Sequence, residues 1–302
     1  MEHIGFIGLG TMGGPMCANL LAAGYRVTAF DVDTHALDRQ VEQGAARASS
    51  AADAAARVDV LLTSLPRPDH VEAVMADAGA LAALPSGSVW IDLTTNRVEL
   101  VRALAADAPD GVEVVDCPVT GAVDGARNAT LTLFLGGPTD VVARIKPIVD
   151  NLGTVISCGG LGTGNVVKLV TNQLWFIHAA ALGEGFALGM ANGVDIGVLW
   201  DAMKESVADS FVARHDAPSV FAGHYDPSFP LDLCLKDLGL IRDLQQGVGT
   251  ELPLTDAAHL AFAAAGEAYG LDVGEMHVAK RLEDATGLSF RLDGNWTPHW
   301  EK

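Results

Sequence analysis

Two groups of residues in this chain have types and spacings suited to chemistry. The first is Gly8-Leu9-Gly10-Thr11-Met12-Gly13, which follows the apolar run Ile4–Ile7 and leads at once into a helical pattern over Thr11–Ala23. Glycines spaced in this way between a strand and a helix suit a bound pyrophosphate. Gly8 permits the tight turn, Gly10 lets the phosphates approach the backbone, and Gly13 lets helix and strand pack closely, with Leu9 and Met12 completing the cradle. Free N–H groups at the helix start, and the helix dipole, favour the anion. In a chain with 33 glycines the pattern alone is weak, and its strand-before, helix-after setting gives it weight. A second strand pattern, Val27–Phe30, ends in Asp31, about twenty residues further on, where a carboxylate hydrogen-bonds the adenosine ribose and repels a 2′-phosphate. NAD rather than NADP is therefore the expected cofactor. Asp31 also reads as a turn or cap residue, and Asp33 stands close enough to share the role.

The second group is Lys168 and Asn172, in the segment Gly162-Thr163-Gly164-Asn165-Val166-Val167-Lys168-Leu169-Val170-Thr171-Asn172. Residues four apart share a helix face. A lysine among valines and leucines, partly withdrawn from water, can exchange a proton near neutrality. Hydride transfer to a carbonyl needs such a donor for the forming oxyanion, and Asn172 suits orienting the ammonium or holding the substrate oxygen. On spacing alone, a snorkelling lysine beside an unrelated polar residue explains the pair equally well. Leu65-Pro66 and Thr94-Thr95 follow strand patterns, at the carboxyl edge where open α/β sheets bind ligands, though each alone reads more readily as an ordinary loop.

The rest of the composition narrows the class. A formal net charge of −19 disfavours nucleic acid and anionic membrane surfaces as partners, and an anionic substrate would need a local cation. Cys17, Cys117, Cys158 and Cys234 lack CxxC spacing, so reduced thiols are expected, and Cys117 reads as packing. The histidines show no HxxxH or HExxH spacing, which predicts no metal, and no GxSxG elbow is present. The chain opens on an apolar strand without a basic stretch, so no signal peptide and a cytoplasmic address are expected. The longest apolar stretch, Leu174 to Met190, contains His178 and Glu184 and reads as a buried helix rather than a membrane span.

These residues must be positioned by regular elements. Up to about Gly160, β-branched runs (Ile4–Gly8, Arg26–Phe30, Val58–Ser64, Ser88–Leu93, Val112–Cys117, Leu131–Gly136, Thr154–Cys158) alternate with helical stretches (Thr11–Ala23, Ala36–Gln43, Pro68–Met75, Asn96–Ala108, Thr139–Asn151). Such alternation predicts an α/β domain, a mostly parallel sheet with helices on both faces. Beyond it the strand signals fade, and Asn165–Ala191, Asp195–Glu205, Lys236–Gln246, Pro253–Tyr269 and Gly274–Thr286 predict an all-helical half. The expected domains are 1–161 and 162–302, joined by a long helix over about 165–191. The tail from Asp293, with Trp296, Pro298 and Trp300, reads as irregular.

Four motifs in order resemble those of the β-hydroxyacid dehydrogenase family over nearly the whole chain: Gly5 through Gly13, Asp116-Cys117-Pro118-Val119-Thr120-Gly121-Ala122, Gly162 through Asn172, and Lys236-Asp237-Leu238-Gly239-Leu240. The resemblance implies a Rossmann-like N-terminal domain, a helical C-terminal domain and a site between them. It implies that Lys168 is the catalytic acid/base with Asn172 beside it, and that Thr95 and Lys236 approach the nicotinamide end of NAD. Thr120, Gly121 and Ala122 would bind the carboxylate of a small hydroxy acid or semialdehyde, and Phe211 and Phe229 fall where related proteins place aromatic pocket walls. On its own Lys236-Asp237 reads as a solvated charge pair, and either phenylalanine as plain core. The family loop usually reads Ser-Gly-Gly where this chain has Thr120-Gly121-Ala122, and Ala129 stands where glycine is usual; both leave the substrate open. An imine reductase on the same scaffold is disfavoured by Lys168, and an inactive cofactor-binding scaffold or regulator by the complete set of motifs. The apolar C-terminal half predicts a homo-oligomer, dimer or tetramer.

Overall fold

The computed structural model describes residues 2–298, so Trp300 of the tail lies outside them. The chain divides into two compact units, Met1–Lys168 and Leu169–Lys302, and the division falls inside the long helix, a little past the Leu161 at which the composition shifts.

The first unit runs β1 (His3–Ile7), α1 (Gly13–Ala22), β2 (Arg26–Phe30), α2 (Thr34–Glu42), β3 (Ala46–Arg47), α3 (Ala51–Ala55), β4 (Val60–Thr63), α4 (Pro68–Glu72), α5 (Ala80–Ala83), β5 (Val89–Asp92), α6 (Val98–Ala106), β6 (Glu113–Asp116), β7 (Val119–Thr120), α7 (Ala122–Arg127), β8 (Leu131–Gly136), α8 (Thr139–Val149) and β9 (Gly153–Gly159). The strands lie in the order β3-β2-β1-β4-β5-β6-β8-β7, with β9 also on β8. Pairing is parallel from β3 through β6, antiparallel from β6 to β8 and from β7 to β8, and parallel again from β8 to β9. This is the expected doubly wound sheet. Its faces follow from the period of two: Ile4, Phe6, Val60, Leu62, Val89 and Ile91 enter one apolar layer with Met16 and Leu20 of α1. Ile7, Leu61 and Trp90 enter the other, against Ala54, Val101 and Leu104. From β1 the chain moves out to β2 and β3, then returns past β1 to β4. A crevice for ligands opens where the direction reverses, outside the carboxyl ends of β1 and β4.

In the first unit the elements absent from the sequence reading are short: β3, β7, α3, α5 and α7 span too few residues to show a period. The helix expected over Pro68–Met75 is α4 followed by a widened π turn, Ala73–Asp77.

Among the described residues, the regular elements of the second unit are helices, apart from an isolated bridge between Pro230 and Gly274. It takes up α9 (Thr163–Ala191) from Leu169 onward and continues through α10 (Ile196–Lys204), α11 (Ala217–Ala222), α12 (Leu231–Val248), α13 (Pro253–Tyr269) and α14 (His277–Thr286). Phe176 and Phe186 of α9 meet Phe221, Phe262 and Phe290 in its core. The expectation of a buried α9 needs correction. By length and composition it could cross a membrane, and within the fold only one face is covered: Leu169, Phe176, Ala179 and Phe186 are buried, whereas Val170, Leu174 and Leu188 are exposed.

One tight point in the first unit is where the start of α1 meets the loop after β1. A methyl group on Gly13 would lie 1.9 Å from the Gly8 carbonyl oxygen, which is backbone and cannot swing aside. Gly13→Ala should therefore push α1 off the sheet and cost about 1–3 kcal/mol, seen as a lowered thermal unfolding midpoint. An unchanged midpoint would show that the two backbones do not meet this closely.

Candidate active site

The glycine motif forms an open cradle. Gly8 has φ +92°, and a Cβ there would strike the Ser64 carbonyl oxygen beyond β4 at 2.2 Å. Gly10 differs: a Cβ there would meet nothing within 4 Å. Gly8 and Gly13 thus serve the fold, while Gly10 borders empty space of the kind a pyrophosphate needs. Met12 is the N-cap of α1 and caps nothing with its side chain, and the Gly14 N–H in the first turn donates to the Gly10 carbonyl oxygen at 2.9 Å, so the loop itself folds over the helix start. A cavity of about 650 Å³ runs on from it, lined by Leu9, Gly10, Thr11, Asp31, Asp33 and Arg39 among others.

Asp31 stands just beyond β2 and faces the cradle. Its Oδ2 accepts from the Leu9 N–H at 2.5 Å and its Oδ1 from the Asp33 N–H at 2.8 Å. Asp33 is the true helix cap, with its carboxylate taking the His35 N–H at the start of α2. Asp31 therefore has two uses: it fixes the glycine loop, and it retains lone pairs for ribose hydroxyls.

Leu65, half-buried, and Pro66, exposed, lie beyond β4, and Thr95 lies beyond β5. The Leu65 N–H donates to Thr94 Oγ1 at 3.1 Å, which ties these two loops together. Behind them runs a buried polar network that the sequence reading did not single out. Asp92 ends β5 and accepts from Thr63 Oγ1 (2.9 Å), the Thr94 N–H (3.1 Å) and Asn96 Nδ2 (2.8 Å). The Asn96 N–H donates to Asn165 Oδ1 at 2.7 Å. Asp116 ends β6 and accepts from the Gly162 N–H (2.7 Å), the Asn165 N–H (2.6 Å) and Asn165 Nδ2 (3.1 Å). Burial pushes the Asp92 carboxyl up, and Asp116 up to about 6, while these donors pull both down. An acid closing an apolar strand run was the available signal; its partners, far along the chain, gave none. Cys117, next in sequence, is buried, and burial together with the Asp116 and Asp92 charges raises its thiol well above the ordinary range, in keeping with a packing role.

Thr120, Gly121 and Ala122 follow in β7 and the start of α7, with Gly121 at φ +124°. Ala122 and Ala129 hold φ values of +56° and +54°, in the left-handed region that favours glycine. Ala129 comes just after the Asn128 C-cap of α7, where a left-handed residue commonly closes a helix. Lys168 lies on α9, only 8% exposed, and is not a snorkelling surface lysine.

In the helical unit Asn172 is equally buried, and its Nδ2 donates to Asp237 Oδ2 at 2.7 Å. Lys236 Nζ lies 2.7 Å from Asp237 Oδ1, off the hydrogen-bonding direction, and both side chains are largely buried. The motif is therefore no solvated charge pair; Asp237 braces Asn172 and Lys236 together, a role local sequence could not reveal. Phe211 is 54% exposed and stacks on His215 at 4.4 Å, so it is not core, whereas Phe229 packs against Trp175. His215 Nδ1 and Trp175 Nε1 both engage Asp216, at 2.8 Å each. Asp216, Asp226 and Glu275 bring carboxylate oxygens within 4.8 Å of one another, a grouping that could hold a metal ion. Burial and the neighbouring Asp226 and Asp216 raise the Glu275 carboxyl well above its usual range.

A doubly wound sheet, a glycine cradle at its switch point and an acid beyond β2 define a NAD-binding oxidoreductase. A family model described as the NAD binding domain of 6-phosphogluconate dehydrogenase matches residues 3–160, and one described as NAD-binding of NADP-dependent 3-hydroxyisobutyrate dehydrogenase matches residues 162–282. The chain belongs to the β-hydroxyacid dehydrogenase family. It is 37% identical to the 3-hydroxyisobutyrate dehydrogenase of Pseudomonas aeruginosa over 298 residues, 94% of this chain and 100% of that one. It is 34% identical to the NAD-dependent L-serine dehydrogenase of the same organism, over 85% of this chain and 90% of that one. A solved structure of Mycobacterium tuberculosis 3-hydroxyisobutyrate dehydrogenase with L-serine superposes with a TM-score of 0.86 at 31% identity, covering 93% of this chain and 99% of that one.

Two substitutions separate the functions of the cradle. Gly10→Ala should leave the unfolding midpoint unchanged, because its methyl meets no protein atom, yet weaken NAD binding at least ~10-fold by filling the phosphate space. NAD affinity equal to wild type, by fluorescence titration, would place the pyrophosphate elsewhere. Asp31→Ser should narrow the preference for NAD over NADP in steady-state assays. Because it also removes the Leu9 acceptor, it should raise KM for NAD itself. A wild-type enzyme using both cofactors equally would refute the assignment of Asp31.

Proposed function

We propose that this enzyme interconverts a small β-hydroxy acid and its semialdehyde with NAD, Lys168 serving as the general acid/base. NAD supplies the hydride acceptor or donor. The observation that carries the reading is the buried Lys168 amine on a helix whose start is hydrogen-bonded to the carboxyl ends of the cofactor-binding sheet. In oxidation Lys168 Nζ takes the hydroxyl proton of the substrate as the carbonyl forms; in reduction it returns a proton to the nascent alkoxide. Asn172 holds the reacting oxygen or the amine, with its amide orientation set by Asp237. Thr120, Gly121 and Ala122 take the substrate carboxylate through hydroxyl and backbone N–H donors, which satisfy an anion without a mobile charge in a strongly acidic protein. Thr95 and Lys236 approach the nicotinamide, and Phe211 walls the pocket. The spread of relatives between 3-hydroxyisobutyrate and L-serine supports a compact acid with a primary hydroxyl. Exposed Val170, Leu174 and Leu188 on α9 and Leu254 and Leu260 on α13 support a homo-oligomer, and we place the enzyme in the cytoplasm.

In a panel with NAD, 3-hydroxyisobutyrate or L-serine should turn over, and primary alcohols without an acid should be poor substrates. Each charge-assisted hydrogen bond forfeited at an empty anion site is worth roughly 1.5–3 kcal/mol. Lys168→Ala should bind NAD normally and lose ~10²–10⁴ in kcat. Near-normal turnover by that variant would remove Lys168 from the chemistry, and equal use of simple alcohols would remove the acid site.

A further inference from the structure

We propose that Asn165 and Asp116 are positioning residues for Lys168: together they fix the first turn of α9 to the carboxyl ends of β5 and β6, and so set where the lysine amine stands. The proposal rests on Lys168 as the acid/base.

The start of a helix leaves N–H groups without intrahelical partners, and a side chain at the preceding position usually takes one. Here that position is Gly162, which has no side chain, and the acceptor comes instead from a distant strand. Both oxygens of Asp116 are used, one by the Gly162 N–H and the other by the main-chain and side-chain N–H groups of Asn165. A carboxylate there also matches the positive end of the helix dipole. The arrangement has little slack. A Cβ on Gly164 would lie 2.2 Å from the Phe134 carbonyl oxygen and 2.9 Å from Asp116 Oδ2, and one on Gly136 would lie 2.4 Å from Asp116 Oδ1. The helix start, the end of β8 and the carboxylate thus fit only because both glycines are bare.

Asn165 carries the constraint onward in two directions. Its Oδ1 accepts the Asn96 N–H, and Asn96 donates in turn to Asp92, which also holds the Thr94 N–H. Thr94 Oγ1 then receives the Leu65 N–H of the neighbouring loop. Along the helix, Lys168 is three residues on from Asn165, on the same face and about 4.5 Å further along the axis. One buried amide therefore registers the lysine against the loops assigned to the cofactor. A displacement of ~1 Å between reacting groups can cost ~10²-fold in rate.

Asn165→Ala and Asp116→Asn would each be compared with wild type in two assays. Turnover of 3-hydroxyisobutyrate and L-serine gives kcat, KM for NAD and the pH profile. Reductive methylation of the cofactor-free protein, read by mass spectrometry, reports the reactivity of Lys168 against that of surface lysines. Both variants should lower kcat ~10- to 100-fold with KM for NAD within ~3-fold, move the pH limb assigned to the lysine, and change Lys168 methylation at least ~3-fold. The double variant should be no worse than the worse single one, because the two residues act through one contact. If Asn165→Ala does not fold, Asn165→Ser takes its place. The proposal is overturned if kcat stays within ~2-fold of wild type. It is also overturned if kcat and the unfolding midpoint fall while Lys168 methylation is unchanged, which would mark a purely structural role. Should wild type turn over no hydroxy acid, the functional reading fails, and the methylation assay still decides the positioning role.

Discussion

Two carboxyl groups buried at the ends of parallel strands must be satisfied, and the architecture of the sheet edge follows from that need. An ionised carboxylate taken out of water costs several kcal/mol unless hydrogen bonds replace its hydration. Asp92 and Asp116 are fully buried where β5 and β6 end, and neither has a basic side chain among its hydrogen-bond donors. Their donors are hydroxyls, amides and backbone N–H groups drawn from β4, from the loop after β5 and from the start of α9. Each donor fixes a piece of backbone, so the loops that border the cofactor crevice are held as one assembly. The donors to both carboxyls are neutral groups.

Much of this was legible in the sequence. The strands were readable because Ile4/Phe6, Val60/Leu62 and Val89/Ile91 alternate with residues entering the opposite apolar layer, and both layers are covered. The cradle was readable because its three glycines answer to three different steric demands, which the positions of hypothetical methyl groups distinguish. The polar network was not readable. Asn165 meets Asn96 and Asp116 across long stretches of chain, and no local period records such a meeting. Lys236-Asp237 failed for the same reason: two adjacent charges look solvated until the helix that buries them is known. Short elements such as β3 and α5 escaped because they exist only through what packs on them.

The helical unit solves its own polar problem differently. Asp237 lies between an amide and an ammonium, whereas Glu275 lies among other acids which, with burial, push its carboxyl well above the ordinary range. Lys168 and Asn172 lie one turn apart on α9, yet each belongs to a different compact unit; Asn172 is bound to Asp237, and Asn165, one turn before Lys168, to Asp116. The helix itself is the covalent link between the two.

The left-handed alanines, Ala122 and Ala129, bear on how this sequence can drift. Left-handed backbone costs an alanine about 1–2 kcal/mol that glycine escapes. Glycine, however, leaves the unfolded chain more disordered, at a cost of about 0.4–1 kcal/mol to stability. The strain is the larger of the two, so glycine at either position would fold more stably and each alanine is held at a net cost on the order of 1 kcal/mol. Stability alone would therefore favour glycine at these sites, and an alanine kept at Ala122, within the proposed acid-binding loop, answers instead to what its methyl group admits or turns away.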